Sequence, residues 1–526
     1  LKKFKDFLKL HSITILYCVI LLAPSLMFSG KGFLRALYPL LLLIVLVNRW
    51  KPFLVLTFPF FILAPAAIFI QNNFNAPMNE SFWLIIFGSN VNEAVDFMSS
   101  LALIPTALGL CLIGLWIYFY KKNRPEALVK NRWIKMFLWS FLLIPMVHFY
   151  KGRADVAAEF NHHFTESFPM NVVLSYASAT NDLNEFSKVV EFTNIDQLKD
   201  VSVSNGANTV VLIIGESARR DRLHLYGKTD EQNNPYLTNL KSELFLFTDL
   251  ISLHPHTVAS VPVMLTKQRG IEKPFELQYS FLEVFKAAGF KTYWISNQAT
   301  LWGKGSIIGK LVKGAEFKHF FHIHDANNPT LHDDKVIDLF KVKLNEPNAP
   351  TKRLFVLHLQ GSHYSFEKRY PDEFAKFKDP YDNSLLYTDF LISEVIASLK
   401  SSNLSSAMLY TSDHGLLLNA CGKKYTHFDN KESFEIPFFA WANEGWRSTN
   451  PDKVSNLNIN LNKSLTTEIL FDSLIDFAGI KYPGYRSHLS VLSPDTTVGK
   501  RLVKTYSDIV DYDSGKNNND CHLSNE

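Results

Sequence analysis

The chain has 526 residues, enough for two or three domains, and its 47% hydrophobic content with 43 Phe is rich for a purely soluble protein. The formal net charge is +4. Lys and Arg flanking the apolar segments account for most of it, so the charge gives no support for nucleic-acid binding.

The apolar excess is concentrated at the start. Runs at 13–29, 34–48, 52–70, 101–120 and 134–149 read as five transmembrane helices, the second and fifth short. After them no stretch approaches the ~20 apolar residues that a bilayer span needs. Four further spans favour an uncleaved first helix over a signal peptide. Lys2, Lys3, Lys5 and Lys9 precede the first run, Arg49 and Lys51 separate the second and third, and Lys121, Lys122, Arg124, Lys130, Arg132 and Lys135 precede or enter the fifth. These loops are expected to be cytoplasmic. Loop 71–100 carries Glu80, Glu93 and Asp96 without Lys or Arg, as expected of the opposite side, and its 90–100 part reads as a short helix on the membrane surface. Lys31 and Arg35 in the first outer loop run against the pattern. An odd number of spans places residues 151–526 outside the cytoplasm.

Residues 1–150 are therefore expected to form a transmembrane domain and 151–208 a polar linker with helices. Residues 209–510 are expected to be a periplasmic catalytic domain. There, β-rich runs at 209–214, 291–296, 353–359, 406–411 and 436–442 alternate with helical patterns such as 281–288 and 384–400, the signature of an α/β fold with a mostly parallel sheet covered by helices. The Asp/Asn/Ser-rich tail 511–526 is expected to be disordered. Cys18 and Cys111 fall in apolar spans as packing residues, whereas Cys421 and Cys521 lie in the exported part, where an oxidising compartment permits one disulfide.

Chemistry gathers at predicted strand ends. Glu216 follows an apolar strand and a Gly, and Asp413-His414-Gly415 ends another. Carboxylate and imidazole at the carboxyl ends of an α/β sheet are donors suited to zinc or a similar divalent ion. A helix cap or an Arg219 or Arg220 partner is the competing role for Glu216, and an Asx-turn for Asp413. Gly215-Glu216-Ser217-Ala218-Arg219 lacks the second Gly of a nucleophile elbow, so Ser217 reads as a helix cap. Thr257 lies between His254, His256 and Ser260-Val261-Pro262. Coordination to a dication would lower the pKa of its hydroxyl and make it a nucleophile. His363 closes a further strand, and His427 stands 13 residues past His414.

Taken together, Gly215-Glu216-Ser217, Thr257-Val258-Ala259-Ser260-Val261-Pro262, Ser412-Asp413-His414-Gly415 and the apolar first third resemble the membrane-anchored phosphoethanolamine transferases of Gram-negative envelopes, a branch of the alkaline-phosphatase/sulfatase superfamily. The resemblance implies an alkaline-phosphatase-type α/β/α domain after a five-helix bundle. It also implies a Zn2+ cofactor on Glu216, Thr257, Asp413 and His414, with Thr257 as nucleophile. His363 and His427 take the places that bind phosphoethanolamine or an accessory zinc, and Tyr381-Asp382-Asn383 is a further family-like stretch. The implied reaction moves phosphoethanolamine from phosphatidylethanolamine to lipopolysaccharide at the inner membrane through a phospho-threonine.

Two departures stand out. Leu416 occupies the place where a Glu usually follows Ser-Asp-His-Gly, and two exported cysteines cannot form the ring of disulfides found in some lipid A-modifying members, which points to the disulfide-poor branch associated with core sugars. Heptose, Kdo and lipid A phosphate remain open as acceptors. A phosphoglycerol transferase, a phosphodiesterase or sulfatase-like hydrolase, and a non-catalytic envelope scaffold are the alternatives. No Cys/Ser-x-Pro-x-Arg context surrounds Thr257, as a formylglycine sulfatase would need.

Overall fold

The computed structural model describes residues 2–28, 30–74, 103–122, 132–140 and 170–191, isolated stretches between 78 and 200, and residues 200–525 apart from 229, 268–279, 299–306, 322–330, 403, 421–428, 506–507 and 520. The chain divides into two compact units, Leu1–Asn181 without Phe87–Asn90, and Asp182–Glu526 with them. That boundary falls inside the predicted linker and inside the helix Met170–Glu191.

The first unit is helical. The helices Lys2–Phe28, Gly30–Val47, Trp50–Phe74 and Leu103–Lys121 coincide with the first four predicted spans. Among the described residues, Trp50–Asn72 and Leu103–Lys121 are long and apolar enough to cross a membrane, while Ile13–Met27 and Leu34–Val47 are shorter apolar helices. The fifth predicted span is helical at 132–140 and otherwise lies outside the described residues, as does the predicted surface helix at 90–100. Tyr17 is the hub of an aromatic cluster, stacked on Phe61 at 4.4 Å and edge-on to Trp50 and Phe119. Its hydroxyl lies 2.6 Å from Thr57 Oγ1, which donates to Phe53 O, so both buried hydroxyls are satisfied without water. Leu103, Ile104 and Leu110 stay exposed, as expected of an apolar face meeting lipid.

The second unit is a three-layer sandwich. Its strands are β1 (Ser202–Val203), β2 (Thr209–Gly215), β3 (Leu244–Ile251), β4 (Lys291–Ser296), β5 (Phe317–Phe320), β6 (Arg353–His358), β7 (Ser406–Ser412), β8 (Glu435–Ala442), β9 (Leu465–Thr466), β10 (Ile480–Lys481), β11 (Leu502–Lys504), β12 (Ile509–Asp511), β13 (Lys516–Asn517) and β14 (Leu523–Ser524). Eight form one sheet in the order β5-β4-β6-β2-β7-β8-β3-β9. Within it β2, β4, β5, β6 and β7 pair in parallel, and β8 runs antiparallel to both its neighbours. Every residue of β2, β6 and β7 is buried, as expected of central strands covered on both faces. Val210, Leu212 and Ile214 face the helices Thr257–Leu265, Phe281–Ala287 and Ile469–Phe477. Val211 and Ile213 face the helices Asp334–Leu344 and Pro380–Ser401.

Two sequence expectations are corrected here. β3 is not among the predicted strands, and its bulge between Phe247 and Leu250 explains why its alternation is broken. Residues 511–526 carry the hairpin β13–β14 and close a small core, with Tyr512 and Leu523 packed on Ile251, Phe434, Val503 and Val510. The polar composition of the tail hides these few apolar anchors. Cys521 is disulfide-bonded and Cys18 and Cys111 are free thiols; Cys421 lies outside the described residues.

Candidate metal centre and nucleophile

The parallel strands bring their carboxyl ends to one edge of the sheet, where ligands of open α/β folds collect. β2 delivers Glu216 and the neighbouring β7 delivers Asp413 and His414, with Asp413 N donating to Gly215 O across the gap. Glu216, Asp413 and His414 are at most 1% exposed, and each offers one ligand atom within 4.8 Å of the others. Thr257 opens the helix Thr257–Leu265 after β3, and its Oγ1 donates to Glu216 Oε2 at 2.9 Å and lies 3.3 Å from His414 Nε2.

The tautomer of His414 follows from its partners. Nδ1 faces Gly415 O at 2.6 Å and must donate to it, which leaves the Nε2 lone pair towards Glu216 Oε1 at 3.2 Å and Asp413 Oδ2 at 3.5 Å. Asp413 Oδ2 is buried with no hydrogen-bond donor. Three acceptor atoms facing one another in a buried site repel unless a cation stands among them. Without a metal a proton takes that place. Burial draws the His414 pKa down, but Asp413 and Glu216 outweigh it and raise it to about 9. Burial and then Glu216 push Asp413 up to about 7. Burial opposes ionisation of Glu216, yet His414, with help from His363 and Ser217, holds its carboxyl well below the usual range. A divalent ion on Glu216, Asp413, His414 and Thr257 resolves the same repulsion, and the oxygen and nitrogen donor set suits zinc.

The surrounding turns are built to hold these groups. Gly415 has no room for a side chain, since a Cβ would lie 2.3 Å from Glu432 O, and its N–H donates to Ser433 O. Asp413 O accepts from Ser260 Oγ at 2.5 Å, tying the turn to the helix that carries Thr257. His363 follows β6 and lies close enough to lower the Glu216 pKa. Gly361, at φ 48°, packs on the Glu216 backbone, and Ser362 N donates to Glu216 O. His427 lies outside the described residues.

Ser217 departs from expectation. It has φ 56°, in the left-handed region, and the 3-10 turn that follows has Arg219 at its N-cap. Its hydroxyl donates to Glu216 Oε1 at 2.6 Å, so it orients the carboxylate instead of capping a helix. Tyr381 pins this turn, donating to Ser217 O at 2.8 Å and accepting from Arg219 N at 2.9 Å. Tyr381→Phe leaves both backbone groups buried and unpaired and is expected to cost about 1–3 kcal/mol, read from the urea midpoint of the detergent-solubilised chain. Asp382 pairs with Arg222 and Lys228, which gives the family-like Tyr381-Asp382-Asn383 stretch a structural role.

Gln298, not singled out from sequence, donates from Nε2 to Glu216 Oε2 at 2.9 Å. It stands two residues past β4, the same kind of strand-end position that marked Glu216. Leu416 packs with Leu385, Leu418 and Tyr381, so the family's usual Glu position is filled here by core.

A family profile described as Sulfatase matches residues 208–479, the strands and turns just described. The chain belongs to the sulfatase family. Within it, the chain is 27% identical to the phosphoethanolamine transferase EptC of Escherichia coli K12 over 482 residues, 83% of this chain and 82% of that protein. It is 25% identical to the phosphoethanolamine transferase CptA of Salmonella typhimurium over 488 residues, 83% and 82% of the two chains. The crystal structure of the C-terminal periplasmic domain of E. coli EptC in complex with Zn matches 60% of this chain and 96% of that domain at 26% identity and a TM-score of 0.55. The integral membrane protein EptA, a lipooligosaccharide phosphoethanolamine transferase from Neisseria meningitidis, shares the fold across 82% of this chain and 85% of its own at 19% identity and a TM-score of 0.64. These similarities bear out the resemblance to the phosphoethanolamine transferase family within the alkaline-phosphatase/sulfatase superfamily.

Proposed function

We propose that this sulfatase-family chain is a zinc-dependent transferase that moves phosphoethanolamine from phosphatidylethanolamine to lipopolysaccharide through a phospho-threonine on Thr257. The observation that carries the reading is the convergence of buried Glu216, Asp413 and His414 on the Thr257 hydroxyl. When bound, zinc supplies a Lewis acid that lowers the pKa of that hydroxyl and offsets charge on the transferring phosphate.

Thr257 Oγ1 gives up its proton and attacks phosphorus. The P–O bond to diacylglycerol breaks, the departing oxygen takes up a proton to leave as the diacylglycerol hydroxyl, and phosphoethanolamine is held on Thr257 until an acceptor hydroxyl or phosphate oxygen takes it and the threonine oxygen is reprotonated. Glu216 Oε2 and His414 Nε2 fix the rotamer of Thr257, so the nucleophile is oriented before substrate arrives. His363, near enough to Glu216 to lower its pKa, is proposed to receive the phosphate of the donor, and His427 is given the corresponding role from its sequence position. The acceptor, a core sugar or lipid A phosphate, is left to experiment. Mass spectrometry of lipopolysaccharide from cells with and without the gene tests it: an added phosphoethanolamine only with the gene supports the reading and names the acceptor, and identical spectra contradict it.

The same reading gives the chain five spans in the bacterial inner membrane and a catalytic unit in the periplasm; two helices of the first unit long and apolar enough to cross a bilayer, and two shorter apolar ones, support a membrane-embedded first unit. Confinement beside both lipids raises their effective concentration. A reporter fused after residue 526 is expected to be active only outside the cytoplasm. Activity restricted to the cytoplasm would overturn the topology.

A further inference from the structure

The hairpin β13–β14 packs Leu523 on Ile251, Phe434 and Val503, and its polar contacts gather on the segment 429–433 that runs behind the turn Asp413-His414-Gly415. Leu523 N donates to Asp429 O at 2.9 Å, and His522 Nδ1 meets Asp429 Oδ1 at 2.6 Å, with both side chains buried. Asn517 bridges the same segment, accepting from Lys431 N at 2.8 Å and donating to Glu432 Oε2 at 3.0 Å. Lys431 donates to Gly515 O and lies over the Tyr512 ring. From there the path to the site is short. Ser433 N donates to Asn430 O, Ser433 O receives Gly415 N at 2.7 Å, and Gly415 O receives His414 Nδ1 at 2.6 Å.

We propose that the C-terminal hairpin is a brace for the candidate metal-ligand turn, with His522 and Asn517 as positioning residues that hold segment 429–433 against Gly415 and thereby aim His414 Nε2. The inference rests on the proposed function only in taking that turn as the metal-holding one. Neither residue touches the reacting atoms. They act through backbone hydrogen bonds that a displaced 429–433 segment would lose, and the absence of space at Gly415 means that a shift of Glu432 or Ser433 is passed to the turn directly. Bonds of this kind behind a metal ligand fix its orientation, and losing them commonly costs 10–100-fold in metal affinity or activity.

The test uses the full chain in detergent, with His522→Ala, Asn517→Ala and His522→Asn, whose amide can still donate to Asp429. Three readouts separate positioning from folding: amide exchange in the peptide containing Gly415, the visible spectrum of the Co2+-substituted enzyme, and kcat against KM. The brace predicts faster exchange, an altered Co2+ spectrum and kcat lowered about tenfold with little change in KM for either alanine variant, and partial recovery in His522→Asn. Wild-type exchange at Gly415 in a folded alanine variant overturns the brace, whether or not metal is bound. Should His522→Ala fail to fold, Asn517→Ala and His522→Asn decide by the same readouts. Asp413→Ala that keeps its metal overturns the metal reading instead, and the exchange result still judges the brace.

Discussion

Thr257→Ala is expected to abolish transfer, with turnover falling by more than about 10³-fold, the scale seen when an enzyme loses its nucleophile. Among the described residues the nearest other hydroxyls are already engaged. Ser260 Oγ is engaged with Asp413 O and Ser252, and Ser217 Oγ donates to Glu216 Oε1, behind the carboxylate it orients. Thr257→Ser keeps the attacking oxygen but loses the methyl group that restricts its rotamer, so partial turnover is expected. Ser217→Ala removes one hydrogen bond to Glu216 and leaves the attacking group in place. Its expected loss is about 0.5–1.5 kcal/mol of stability with much of the activity retained. Initial rates of phosphoethanolamine release from labelled phosphatidylethanolamine separate these three variants. Equal losses in Thr257→Ala and Ser217→Ala would contradict the assignment.

The second large effect is loss of metal. Glu216→Ala, Asp413→Ala and His414→Ala each remove one of the three buried side chains proposed to hold the metal, and zinc content and activity should fall together while the fold persists. The metal-free protein carries a signature of the same repulsion. Asp413 and His414 both have folded pKa values raised above their ordinary values of 3.8 and 6.5, to about 7 and about 9. A raised pKa means that the folded state holds the proton more tightly than the unfolded one. Its contribution is complete below the ordinary value and is lost as pH rises through the folded value. The stability that zinc adds over chelator-treated protein should therefore grow as pH rises between about pH 4 and pH 9, because zinc replaces the proton that the metal-free site loses across that window, while the other buried groups titrate alike in both forms. A difference in melting temperature between zinc-loaded and metal-free protein that is independent of pH across this window would contradict the charge arrangement.

Much of the sheet can be read from sequence because its central strands are buried on both faces and appear as unbroken apolar runs, as in Thr209–Gly215 and Ser406–Ser412. Glu216, Asp413 and His414 are legible for the complementary reason, being polar groups that end such runs. Thr257 is not legible from its neighbours. It lies on the first turn of a helix, where Thr is ordinary, and only the resemblance marked it. Other features depend on contacts that a linear pattern cannot express. The left-handed backbone of Ser217 is set by Tyr381, some 160 residues away, which holds both sides of the turn. The ordered tail depends on Tyr512 and Leu523 finding Ile251 and Phe434, and two anchors in a polar segment leave no periodicity to detect. Gln298 follows the strand-end logic that identified Glu216, but an amide gave no chemical signal of its own.

The most direct test of the central claim is intact-mass analysis of the wild-type chain after incubation with phosphatidylethanolamine and no acceptor, followed by peptide sequencing. The expected result is one added phosphoethanolamine, mapped to Thr257 and absent after chelation. An adduct mapped to Ser217 or any other residue, or transfer to acceptor with no adduct at Thr257, would contradict it.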